Sequence, residues 1–236
     1  MQALSALIRK ELRLYFNSPI AYIFIVVFIS FSMWMFFRGF FLTNQADLRG
    51  YFDFLPWIFL FLIPANTMRM WAEEYRQGTV ETLLTSSLPI HFAVLGKFLA
   101  SLAFLGLALL LTFLLPISIS FIGNLDWGVI LVAYLGIFLL GAAYTALGLF
   151  ISSITNNQIV AFILAVIVTF AFYILGSSIV TFALPGFITG ILQAISLGNH
   201  YDSIIRGVVD TRDIIYYLSF IGFFLLLNYY VLKSRR

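Results

Sequence analysis

Two histidines, His91 and His200, and no cysteine occur in the 236 residues, so the side chains that most often carry catalysis are scarce. Asn199-His200-Tyr201-Asp202 offers one imidazole and one carboxylate, too few ligands for a closed metal site. No His-Glu-x-x-His is present for an intramembrane metalloprotease. Gly96-Lys97 resembles the end of a phosphate-binding loop, but Phe98 follows it and the glycine that should open the loop is missing. The chain therefore cannot cradle ATP phosphates itself. No serine has a base at matching depth. No catalytic residue and no metal ligand is expected, and the chemistry left is non-covalent: groups that grip a partner.

That chemistry concentrates in residues 69–97. Glu73, Glu74 and Arg76 form a charged run ahead of Gly78, where a helix can break. Thr79 can cap a new helix, and Glu81 in its first turn complements the positive helix end. Val80, Leu83 and Leu84, at i, i+3 and i+4, form an apolar face that Pro89 closes. A helix of about two turns is unstable alone in water, so something must pack on Leu83 and Leu84. An ordered inter-span loop capped against the headgroups would use the same residues. A second amphipathic element occupies 1–18. Leu4, Leu7, Ile8, Leu12, Tyr15 and Phe16 share one face, and Arg9, Lys10 and Arg13 lie on the other until Pro19 breaks the pattern. It reads as a helix flat on a membrane surface, whose polar edge is free to dock a cytoplasmic partner.

The remaining composition dictates what positions these segments. Hydrophobic residues make up 62% and charged ones 10%, against roughly 45–50% and about 25% in soluble domains. Mean hydropathy is +1.05. Thirteen Lys and Arg with ten Asp and Glu cannot cover the surface of a soluble protein this size, so the chain is integral to a membrane. That excludes a soluble enzyme, a disulfide scaffold and a disordered chain, and makes the pI of about 9.2 a matter of topology rather than of nucleic acid. Apolar runs long enough for helical spans occur at 20–37, 54–68, 98–122, 127–151, 158–175 and 214–232. None alternates like a barrel strand. The first run is too long for a cleaved signal peptide and lacks a small-residue cleavage site, so it is expected to stay as the first span.

Residues 176–212 are apolar but broken by Gly176, Pro185-Gly186 and Gly190 into fragments too short to cross. They predict a re-entrant or interfacial hairpin before the last span, unless they form a seventh span. With six spans, Arg9, Lys10, Arg13, Arg69, Arg76, Lys97, Lys233, Arg235 and Arg236 fall on one side. Arg38, Arg49, Arg206 and Arg212 fall on the other, nine against four of the thirteen. A seventh span destroys that bias. The positive-inside rule therefore predicts six spans, with both termini and the 69–97 loop in the cytoplasm. No Asp, Glu, Lys, Arg or His falls within the six runs, which argues against an ion-coupled transporter. Gly141, Thr145 and Gly148 share one face of the fourth span and predict close helix packing, within the subunit or at a dimer seam.

Glu73-Glu-Tyr-Arg-Gln-Gly-Thr-Val-Glu-Thr-Leu-Leu84, followed by Pro89 and Gly96-Lys97, resembles the coupling-helix region of ABC-2 type exporter permeases. Asn17-Ser-Pro-Ile, Phe61-Leu-Ile-Pro-Ala-Asn-Thr-Met-Arg, Ala142-Ala-Tyr-Thr-Ala-Leu-Gly, Asn157-Gln-Ile-Val-Ala-Phe-Ile-Leu-Ala-Val and Gly207-Val-Val-Asp-Thr-Arg-Asp-Ile-Ile-Tyr resemble the gliding-motility-associated permease subfamily. The resemblance implies an all-α polytopic permease in a bacterial cytoplasmic (inner) membrane. It implies a connecting helix over 1–18, a six-span domain over 19–236 containing the 69–97 coupling loop, and a re-entrant 176–212. It further implies pairing with a second permease copy or a related permease, and power from two separate ABC ATPase subunits that bind the ATP and Mg. At the coupling position it places Glu73, Glu74, Arg76, Gly78, Thr79, Glu81, Leu83 and Leu84, and on the connecting helix Arg9, Lys10 and Arg13. The uncharged turn at 152–157 matches the other ATPase-facing loop and is expected to contribute little. The apolar, Phe-rich chain favours a lipid-like or amphipathic substrate over a naked ion. The rival reading is an ATP-independent membrane assembly or signalling subunit that uses the same cytoplasmic helix to hold a partner.

Overall fold

The computed structural model describes residues 2–43, 48–80, 89–182 and 184–235, and among these every regular element is a helix. The amphipathic N-terminus is α1 (Gln2–Phe16), separated by a short turn from α2 (Pro19–Thr43). Helix α3 (Arg49–Thr67) accommodates Pro56 and Pro64 and runs almost directly into α4 (Arg69–Gln77). Gly78 ends α4 at φ 71°, a left-handed conformation open to a residue without Cβ. Helices α5 (Ile90–Thr112) and α6 (Leu114–Ser120) form one apolar stretch, Ile90–Ser120. Then come α7 (Trp127–Ile154) and α8 (Gln158–Ile174), followed by three short helices, α9 (Ser178–Thr181), α10 (Gly186–Ile195) and α11 (Leu197–Ile205). The last element is α12 (Thr211–Ser234), whose first turn is capped by the Asp210 carboxylate accepting from the Arg212 N–H at 2.9 Å.

Among the described residues, five stretches are long and apolar enough to cross a membrane: Ala21–Gly39, Arg49–Gln77, Ile90–Ser120, Trp127–Ile154 and Thr211–Ser234. Helix α8 has 17 residues, or roughly 25 Å at 1.5 Å per residue, a little under the hydrocarbon thickness. Its ends nevertheless reach both ends of the bundle. The Gln158 amide donates to Glu73, and at the other terminus the Ser196 hydroxyl donates to the Tyr173 carbonyl at 3.0 Å.

Helix α7 is the central post. Every residue from 140 to 149 is buried, as expected of a helix apolar on all sides. It packs against α3, α5, α8, α11 and α12. Small residues let the neighbours come close. A Cβ on Gly136 would lie 2.7 Å from Ile204 Cγ2, and one on Gly141 would lie 2.5 Å from Leu105 Cδ2. At one end of the bundle, Tyr201 of α11 donates to the Phe52 carbonyl of α3 at 2.7 Å, and Asp126 caps α7. The opposite end holds the ion pairs of Lys97. Glu11 of α1 and Arg235 beyond α12 both belong to it, so the two terminal helices meet the bundle at the same end.

Candidate functional site

The charged end is assembled by α1, α4, the start of α5, the α7–α8 turn and the end of α12. Leu7, Glu11 and Tyr15 follow one another at i, i+4 spacing on the buried row of α1. Leu7 lies against Gly96, where a Cβ would stand 2.5 Å from Leu7 Cδ2, so α1 rests directly on the backbone of α5. That contact brings Glu11 to Lys97. Lys97 Nζ, only 3% exposed, donates to Glu11 Oε1 at 3.2 Å and to Glu74 Oε1 at 2.7 Å, and it lies 4.9 Å from the centre of the Trp71 ring. One ammonium thus joins three helices. A buried ion cluster of this kind fixes geometry, because any displacement leaves a charge unpaired away from water. Beneath it the Tyr15 hydroxyl pairs with Ser101 Oγ at 3.0 Å. Burial pushes the Tyr15 hydroxyl up to about 12, with the Ser101 hydrogen bond acting in the opposite direction.

Helix α4 buries Met70, Trp71 and Ala72 and presents its carboxylates to the neighbouring elements. The N–H groups at a helix start have no partner within the helix. Here Ser152 of α7 supplies one: its hydroxyl accepts from Trp71 N at 3.1 Å and from Ala72 N at 3.2 Å, and donates to the Met68 carbonyl at 2.9 Å. Glu73 receives Gln77 Nε2 at 2.6 Å, the Gln158 amide, and Arg76 at 3.6 Å. Arg235 donates to the Ile154 carbonyl at 2.8 Å and stacks over Tyr75 at 4.6 Å. A cavity of about 630 Å³ lies between α1 and the α3–α4 junction, with Lys10, Arg69, Glu73, Glu74, Thr79 and Lys97 in its wall.

Of the residues expected at the coupling position, Glu73, Glu74, Arg76, Gly78 and Thr79 lie together here, whereas Glu81, Leu83 and Leu84 lie outside the described residues. Thr79 donates its hydroxyl to the Glu74 carbonyl at 3.4 Å, closing α4 behind it. Lys10 lines the cavity, and Arg9 and Arg13 stay exposed on the far flank of α1. The Gly141, Thr145 and Gly148 face is turned inward, to α3 and α5 of the same chain. A Cβ on Gly148 would meet Thr67 Oγ1 at 2.2 Å, and Thr145 is 2% exposed. Sequence reasoning missed Glu11, Lys97, Ser152 and Gln158. Within the chain, the turn at 152–157 ties α4, α7 and α12 together through its hydroxyl, amide and carbonyl groups.

At the opposite end His200 Nδ1 sits 2.6 Å from Asp213 Oδ1, its Nε2 is 3.2 Å from the Ala194 carbonyl, and the Ser203 hydroxyl donates to the same Asp213. Both ring nitrogens are thereby engaged within the chain. Burial, and then the Asp53 carboxylate, push the Asp202 carboxyl above its usual range, while Arg206 lowers it. No group of three or more metal-ligating side chains occurs among the described residues.

Apolar helices arranged around a buried post, with a polar assembly at one end, define an integral membrane protein. The sequence pattern of ABC-2 family transporter proteins matches residues 43–230, and the chain belongs to that family. It is accordingly a membrane permease subunit of an ABC transporter, a family that works with ATPase partners, and not itself the ATPase. Among curated proteins none matches the chain.

Proposed function

We propose that the chain is the membrane half of an ATP-driven exporter of the gliding-motility-associated permease type. Its charged end is the cytoplasmic seat of two ABC ATPase subunits that bind the ATP and Mg. In this reading α2, α3, α5–α6, α7, α8 and α12 are the six spans of an inner-membrane protein, and residues 176–212 form the extracytoplasmic re-entrant segment. A second permease copy, or a related permease, completes the path for a lipid-like or amphipathic substrate. The observation that supports it most is the joint at Lys97. Helix α1, which an ATPase would grip, and helix α4, which leads into the coupling segment, are locked to the start of α5 by one buried ammonium. Ser152 extends the lock to α7. Closure of an ATPase pair beneath α4 is then conveyed to α5 and α7 as one rigid displacement, biasing two discrete arrangements of the bundle.

The absence of cysteine makes the test clean. A single cysteine at Gln77 should be labelled by a membrane-impermeant maleimide only in inverted vesicles, and one at Asn124 only in intact cells. Purified in mild detergent with its genomic neighbours, the Gln77→Cys chain should crosslink to a subunit carrying Walker motifs. Labelling of Gln77→Cys from outside, or a crosslinked partner without nucleotide-binding motifs, overturns the reading; the latter result favours the assembly or signalling alternative.

A further inference from the structure

We propose that α1 carries a site for one anionic phospholipid of the leaflet it lies on, with the headgroup phosphate held by Arg9 and Arg13 and an acyl chain along Ile8, Leu12 and Phe16. The three rows of this helix have different fates. Leu7, Glu11 and Tyr15 are buried against the bundle. Ile8, Leu12 and Phe16, at i, i+4 spacing, are half-buried and line a groove of about 420 Å³. Arg9 and Arg13, one row further round, are exposed and form its polar rim. The groove is overwhelmingly apolar below and cationic above, the division that a phospholipid has and a soluble protein surface lacks.

Two further observations favour lipid. Phe16, at one end of the groove, packs edge-on to Tyr22 of α2 at 6.4 Å and to Phe104 of α5 at 6.2 Å. The groove therefore abuts two of the helices long and apolar enough to cross a membrane. The described carboxylates at this end are also already taken. Glu11 and Glu74 pair with Lys97, and Glu73 pairs with Arg76, so no carboxylate among the described residues pairs with Arg9 or Arg13. Two guanidinium forks at i, i+4 match phosphate oxygens in geometry as well as in charge. Lys10 takes a separate role, since it lines the cavity on the other flank of α1.

The inference rests on α1 lying at a membrane surface and not on the ATPase reading. The full chain, purified in mild detergent, is offered dioleoyl phosphatidylglycerol or dioleoyl phosphatidylcholine, and retained lipid is counted by native mass spectrometry. One phosphatidylglycerol per chain should be held in preference to phosphatidylcholine by about tenfold or more, from roughly fivefold for each basic side chain near an anionic surface. The double variant Arg9→Gln/Arg13→Gln should lose that preference, and Lys10→Gln should keep it. Both exchanges are at exposed positions, and the helical circular dichroism of the variants checks that each is folded. Equal retention of the two lipids by the unsubstituted chain overturns the proposal, as does undiminished preference in the double variant. Because lipid is read on the isolated chain, failure here leaves the permease reading standing, and failure to capture an ATPase leaves this result standing.

Discussion

Replacing Lys97 by Met keeps the length of the side chain and removes the one positive charge inside the α1–α4–α5 joint. Lys97 is 3% exposed and Glu11 6%, so solvent cannot stand in for the lost partner. Removing one member of a buried pair generally costs about 3–5 kcal/mol, because the remaining charge is left uncompensated. The contact of the ammonium with the Trp71 ring, at 4.9 Å, is lost as well. For a chain of this size each kcal/mol moves the unfolding midpoint by about 2–4 °C. Lys97→Met should therefore lower the apparent midpoint in detergent by roughly 6–20 °C. The triple variant Glu11→Gln/Glu74→Gln/Lys97→Met tests the cause, since replacing a whole buried ion cluster by neutral groups is often close to harmless. It should recover most of the loss in scanning fluorimetry. A single variant within about 2 °C of the parent, or a triple variant no more stable than the single, would refute the claim that charge pairing holds the joint.

Two further outcomes follow from the same geometry. The Tyr15 hydroxyl, raised from 10.0 to about 12 by burial, resists ionisation in the folded state while the unfolded chain ionises near 10. Stability should therefore fall as pH rises from 10 toward 12, by about 3 kcal/mol from this group, and chemical unfolding of Tyr15→Phe should show a correspondingly smaller alkaline loss than the parent. Gly198→Ala should destabilise by about 1–3 kcal/mol or more, because its Cβ would stand 2.4 Å from the backbone oxygen of Tyr173, an atom that cannot rotate away. Gly186→Ala, whose Cβ meets nothing within 4 Å, is the control and should leave the midpoint unchanged.

Apolar helices were legible in the sequence because the bilayer imposes its requirement locally: each span must be apolar along its own length. The break before the last span and the Gly78 stop were legible for the same reason, being properties of a few consecutive residues. The joint was not. Glu11 and Lys97 are 86 residues apart and each, taken singly, reads as a surface charge at the edge of an apolar segment. The one available signal was register, since Glu11 occupies the same helical row as Leu7 and Tyr15, and an acid on an apolar row needs a buried cation. Ser152 escaped notice for a different reason. Its importance comes from the unpaired N–H groups of Trp71 and Ala72 across the bundle, and no property of residues 152–157 announces them.

The distribution of polar bonds also decides where the bundle can yield. At the charged end α4 is held to α7 through Ser152, to α5 and α1 through Lys97, and to α8 through Gln158. Each of these bonds lies in a medium of low dielectric, where stretching it by an ångström is costly. At the opposite end α9 and α10 bury none of their residues, and Ile179, Phe182 and Phe187 are at least 80% exposed. Few buried contacts mean little resistance to displacement. If α4 is pushed, as the proposed function requires, α7 would carry the displacement and α9 and α10, which bury none of their residues, would yield first. If the joint were loosened by Glu11→Gln/Glu74→Gln/Lys97→Met without loss of fold, ATP hydrolysis by the partner should continue while transport falls, because the motor would still turn and the post would no longer follow it.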